Sequence, residues 1–156
     1  MRNYGRMFLA ALIALALFCP GATAAEQAKI TIKMATLAPK GSNLVNIYEK
    51  LAEEIRIKTD GEVGFKIYWG GVQGDEKDVI RKIKLGQLHG GAFSGSGLGE
   101  IVPEVRVTEI PFVFRNHREV AYVRERLRPT MEKLFEEKGF IVIGWGDIGF
   151  LYVFSK

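Results

Sequence analysis

Ile30-Thr31-Ile32-Lys33-Met34-Ala35 alternates apolar and polar residues and runs into the loop Thr36-Leu37-Ala38-Pro39-Lys40-Gly41. A period of two reads as a strand with one buried face. Ser42 has the side chain that suits a helix N-cap. After it, Leu44, Tyr48, Leu51 and Ile55 fall three or four apart, so they are expected to share one helical face, and Asp60-Gly61 closes that helix. Val63, Phe65, Ile67 and Trp69 then alternate with Gly64, Lys66 and Tyr68 as a second strand. Strand, loop, helix, turn and strand is the repeating unit of a parallel sheet.

The same rhythm continues beyond it. Gly70-Gly71-Val72-Gln73-Gly74 is a flexible loop, and Asp75 can cap a helix running to about Leu88 with Val79, Ile80 and Ile83 inward. Gly91-Ala92-Phe93-Ser94 is a short strand candidate, and Gly95-Ser96-Gly97-Leu98-Gly99 is a loop or a helix start. Val105 to Ile110 alternates until Pro111. A helix is expected from His117 to about Leu127, and Pro129 fits the first turn of a new one that ends at Gly139. Phe140 to Trp145 reads as a further strand, Gly146-Asp147-Ile148-Gly149 as a turn, and Phe150 to Phe154 as an apolar strand-like run. The expectation is one α/β domain whose mostly parallel sheet is flanked by helices.

The N-terminus reads as an export leader rather than fold. Arg2 and Arg6 precede an apolar run from Met7 to Phe18, and Ala22-Thr23-Ala24 supplies a small-x-small cleavage site. A run of about a dozen residues is too short to span a bilayer, which needs roughly 20. Cleavage is therefore expected after Ala24 or Ala25, removing residues 1–24 as a leader and exporting 25–156. Bulky Phe18 before Cys19 disfavours a lipoprotein site. Cys19 is the only cysteine, so a mature chain would rely on its core without disulfides. The net charge of +4 falls to +2 without Arg2 and Arg6, and the charges are interleaved, which argues against a nucleic-acid partner.

Catalytic and cofactor signatures are weak. Gly95-Ser96-Gly97-Leu98-Gly99-Glu100 fails the dinucleotide spacing because Glu100 stands where the third glycine belongs. A tight turn containing Ser96 at the carboxyl end of a parallel strand is better suited to holding a small polar or anionic ligand on exposed N–H groups. No serine sits in a nucleophile elbow. His89 and His117 lack metal-spaced partners and read as surface residues. The reading is a binding protein, not an enzyme, with no cofactor and no metal. Asp75-Glu76 serves as cap and first-turn charge, and is also placed to touch a ligand. Trp145 and Phe150 flank the Gly146-Asp147 turn and are candidates both for core packing and for lining a pocket.

Several stretches together resemble a known family. They are Gln73-Gly74-Asp75-Glu76-Lys77-Asp78 through Leu85-Gly86-Gln87-Leu88, Ser94-Gly95-Ser96-Gly97-Leu98, Val102-Pro103-Glu104, and Ile110-Pro111-Phe112-Val113-Phe114-Arg115. The chain from about Ile30 to Lys156 is similar to the extracytoplasmic solute-binding proteins (DctP type) of tripartite ATP-independent periplasmic (TRAP) transporters. The resemblance implies a type II periplasmic-binding-protein fold, of which this sequence would be the first lobe with the second absent. It implies capture of a small organic anion, a carboxylate, for membrane subunits of the transporter. The matching ligand-facing positions are Thr36, Glu76, Ser94 and Asp147. The sequence departs from the family at Leu151, where an arginine is common, and a second carboxylate-pairing arginine would belong to the other lobe. The alternatives are a truncated remnant without transport function, or a sensor or binding component of another system with the same fold.

Overall fold

A computed structural model describes residues 28–150 and 154–155. The proposed leader, 1–24, and Leu151 lie outside the described residues, as does most of the final apolar run. The elements are β1 (Ile30–Thr36), α1 (Asn43–Lys58), β2 (Val63–Tyr68), α2 (Glu76–Lys84), β3 (Gly90–Ala92), α3 (Gly95–Gly99), a 3-10 helix (Pro103–Glu109) and α4 (His117–Glu137).

The three strands form a parallel sheet in the order β2-β1-β3. Ile30 pairs with Val63 and Ala35 with Tyr68 on one side of β1, and Met34 pairs with Gly90 and Thr36 with Ala92 on the other. The mixed α/β fold read from the alternation is therefore the one observed. The β1–β3 pairing gains one more link at its start. His89 N donates to Lys33 O (2.8 Å), and Lys33 N donates to His89 Nδ1 (3.0 Å), so an imidazole takes the place of a backbone carbonyl.

The main core joins Ile80 of α2, Ile101, Val102 and Val105 around the 3-10 helix, and Met131 and Phe135 of α4. Ala35, Val79 and Leu88 make a smaller cluster between sheet and α2. In α4, Leu127, Met131, Leu134 and Phe135 form the inward stripe at helical spacing. Asn116 caps that helix by accepting from Glu119 N (3.0 Å), while Glu119 accepts from Arg115 N and Asn116 Nδ2.

Five local expectations change. Leu44 and Leu51 are exposed; α1 turns Val45, Tyr48, Ala52 and Ile55 inward instead, a stripe shifted by one residue. Ser42 holds the N-cap position of α1 without a side-chain bond. Helix α2 stops at Lys84, because Gly86 takes a left-handed φ of +71° and turns the chain, and Leu88 is buried from the loop. Val105 to Glu109 is 3-10 helical and only Ile110 behind it is extended, since Pro103 at the start sets a helical φ and only Val105 is buried. Helix α4 does not break at Pro129; it runs on to Glu137. Pro129 and Glu125 both lie on the solvent face, where water can serve the Glu125 carbonyl that loses its helical donor.

The segment after α4 also differs. Gly139 ends the helix with a φ of +81°, as its position suggests, and Phe140 N donates to Phe135 O. Residues 140–145 then belong to no sheet among the described residues. Phe140, Val142 and Trp145 pack on the main core, while Ile141 and Ile143 face outward.

Candidate functional site

Parallel strands deliver their following loops to one edge of a sheet, and that carboxyl edge is where open α/β folds hold ligands. Here the loops after β1, β2 and β3 meet there. Thr36, the last residue of β1, is buried, and its Oγ1 accepts from Ala38 N (3.2 Å). Gly71 N donates to Thr36 O (3.2 Å) and Gly70 N to Ala38 O (2.9 Å), which ties the second loop to the first. Lys82 Nζ reaches back from α2 to Gln73 O (2.8 Å) and Gln73 Oε1 (2.9 Å), closing the glycine-rich loop on the helix that follows it. Gly74, with a φ of +95°, packs against the Asp78 side chain. Asp75 then caps α2 by accepting from Asp78 N (2.9 Å).

Glu76, the first residue of α2, crosses to the loop after β3. One carboxylate oxygen accepts from Ser94 N and the other from Ser94 Oγ (2.7 Å). Ser94 is itself the N-cap of α3, its Oγ accepting from Gly97 N (3.4 Å). Gly97 is buried, and a Cβ there would fall 2.6 Å from the Glu76 carboxyl, so the close approach requires a glycine. Ser96 is exposed on the same short helix.

The remaining expected residues sit around α4. Trp145 Nε1 donates to Glu132 Oε1 (3.1 Å), and its ring meets Phe135 edge-on with centroids 6.1 Å apart. Arg128 Nε also donates to Glu132 (2.8 Å); these two bonds, Arg128 first, hold the Glu132 carboxyl below its ordinary value. Asp147 accepts from Gly149 N (2.7 Å), and its other oxygen lies 3.2 Å from His117 Nδ1. The Gly149 bond and then His117 lower the Asp147 carboxyl. Phe150 meets the His117 ring edge-on at 4.9 Å. Thus Thr36, Glu76, Ser94 and Ser96 gather at the sheet edge, and Trp145, Asp147 and Phe150 lie along α4. Among the described residues no hydrogen bond, ion pair or ring contact joins the two groups.

Sequence reasoning did not foresee the Lys82–Gln73 clamp or the His117–Asp147 contact, since neither pair has a local spacing signal. Two surface concavities are found elsewhere. One, about 400 Å³, lies between Val113, Phe114 and the start of α4; the other, about 300 Å³, lies between α1 and β2. Neither contains the expected site residues.

Chemically, the sheet edge is an acceptor site. A carboxylate has about four lone-pair positions, and Ser94 occupies two of those on Glu76. The remainder suit hydroxyl donors, while the negative charge disfavours close approach by another carboxylate.

Comparison with known proteins agrees with this architecture. The family model for bacterial extracellular solute-binding proteins, family 7, matches residues 34–156. A curated solute-binding protein of Chromohalobacter salexigens is 31% identical over 102 residues, which are 65% of this chain and 30% of that protein. The crystal structure of a TRAP periplasmic solute-binding protein from Sulfitobacter sp. NAS-14.1, with bound β-D-galacturonate, matches with a TM-score of 0.61 at 28% identity over 69% of this chain and 36% of that one. Another from Chromohalobacter salexigens, with bound D-glucuronate, matches with a TM-score of 0.66 at 27% identity over 73% and 38%. The chain spans about a third of the length of these relatives. With the family model covering nearly all of the sequence after the leader-like segment, this chain belongs to the bacterial extracellular solute-binding proteins, family 7.

Proposed function

We propose that this chain contributes to an extracytoplasmic solute-binding subunit of a TRAP-type transporter that captures a hydroxylated organic acid in the periplasm for delivery to membrane subunits. The observation that carries the reading is the Glu76–Ser94 pair at the carboxyl edge of the sheet. An acidic acceptor held in place by its neighbours selects ligand hydroxyls, so the ligand's own carboxylate must meet a positive group elsewhere. Sugar acids have both features, and two similar proteins hold galacturonate and glucuronate. Ser96 and Thr36 would border the hydroxyl side of the ligand. Asp147, Trp145 and Phe150 would act from the α4 side. The Ser94 hydroxyl donates to a carboxylate rather than to a histidine base, so it is not arranged as a nucleophile.

Calorimetric titration of the chain with D-glucuronate, D-galacturonate and succinate tests this. Binding of the two sugar acids, weakened at least about ten-fold by Glu76→Gln and stronger than that of succinate, is the expected result. Equal binding of succinate, or no binding of any of the three, would overturn it.

A further inference from the structure

The link between Lys33 and His89 at the start of the β1–β3 ladder depends on a proton. Lys33 N donates to His89 Nδ1 (3.0 Å), while His89 N donates back to Lys33 O (2.8 Å). A backbone amide can only donate, so Nδ1 must be the accepting nitrogen. The ring is therefore neutral, with its hydrogen on Nε2. A ring that gains a second proton is a donor at both nitrogens and has no acceptor to offer. The bond thus exists in one protonation state alone.

Its position gives that dependence weight. β3 is three residues long and pairs with β1 at Met34–Gly90, Ala35–Gly91 and Thr36–Ala92. Two of its three residues are glycines, which bring no side chain to the packing. The reciprocal link at His89 stands at one end of this short ladder. The loop leaving the other end carries Ser94, the partner of Glu76. The charged residues on the adjoining elements are Lys33 itself, Lys66, which lies opposite Lys33 on β2, and Lys84, the last residue of α2. Glu62, just before β2, is already paired with Lys29 (2.7 Å). Once a second proton is present, the lost acceptor and the like charges both favour release of His89 from β1.

We propose that His89 is a proton-operated clasp, which holds the start of β3 on β1 while neutral and releases it on protonation. Histidine ordinarily changes charge near pH ~6.5, so the clasp is closed above that range and opens as the pH falls through it. Nothing in this device depends on which ligand the protein binds.

Hydrogen exchange of the Lys33 amide in the full chain, at pH ~7.5 and pH ~5.5, tests it, with each rate taken relative to that of an unstructured peptide. Protection in the wild-type chain is expected to fall about ten-fold at the lower pH, because an opening that exposes the ring is drawn forward by proton uptake. His89→Asn keeps an acceptor oxygen at the place of Nδ1 but does not titrate, so its Lys33 protection should stay constant. No fall in the wild-type chain, or an equal fall in His89→Asn, would overturn the proposal. The ring nitrogen shifts of His89 in the wild-type chain at the higher pH give a second reading that needs no variant. They should report hydrogen on Nε2; hydrogen on Nδ1 would also overturn it.

Discussion

Both carboxylate oxygens of Glu76 are committed to Ser94, one to its N–H and one to its hydroxyl. The pair joins α2 to the loop after β3 across 18 positions of sequence, so the sheet edge is preorganised before any ligand arrives. Glu76→Ala leaves a part-buried N–H and hydroxyl without an acceptor and should destabilise the chain by about 1–3 kcal/mol. Ser94→Ala keeps the backbone donor and should cost less. Urea unfolding of the two single variants and the double variant would measure the coupling; strictly additive effects would show that the pair contributes nothing of its own.

Two glycines on α3 should respond oppositely to the same change. A methyl at Gly97 meets the Glu76 carboxyl and must displace the Glu76–Ser94 bonds, so Gly97→Ala should lower the unfolding midpoint. At Gly95 the methyl meets the Glu109 carboxyl, the far end of a flexible side chain whose ion pair with Arg106 is loose at 3.7 Å. Gly95→Ala should be neutral or slightly stabilising through helix propensity. Thermal melts of both variants check the contrast, and equal losses would contradict it.

The turn at Asp147 should loosen in acid. Its carboxyl is lowered first by the Gly149 N–H and then by His117, so the folded value lies below the unfolded value of about 3.9. Stability from this group is complete above the unfolded value and is lost as pH falls through the folded one. The Gly149 amide shift, followed by NMR, should report a midpoint below about 3.9, and Asp147→Asn should remove that transition. A midpoint above that range would show that the two bonds are not maintained in solution.

Pro129 is a removable fault in α4. Alanine there restores the donor missing from the helix at a solvent-facing position, without touching the Leu127–Met131–Leu134–Phe135 stripe. Pro129→Ala should raise stability by about 1–3 kcal/mol in urea unfolding. A loss would mean that the core depends on a bend at this point.

What was legible in the sequence followed from period and caps. The alternation of Ile30 to Ala35 and of Val63 to Trp69, with a helix between, gives β1, α1 and β2, and Asp75 and Gly139 mark the ends they should. The failures have separate causes: two apolar residues spaced by one are too short a signal to separate strand from 3-10 helix, as at Val105 and Val107. Pro129 was read from local chemistry alone, and the packing of Met131 and Phe135 overrode it. The stripe on α1 slipped by one position because Leu44, Ile47 and Leu51 are apolar yet exposed, so two neighbouring faces carry nearly the same signal. At the candidate site, the cap residues Asp75 and Ser94 are visible to sequence reasoning, whereas the Lys82–Gln73 clamp depends on where the fold brings side chains.

The strand order β2-β1-β3 has a bearing on how the chain reaches its native state when it emerges from its N-terminus. Among the described residues every ladder closes within residues 30–92, with β1 made first and placed at the centre. Each later strand of the described sheet therefore finds its template already synthesised, and none of these pairings waits for α4. The last helix and the segment behind it arrive at a platform that is already laid down.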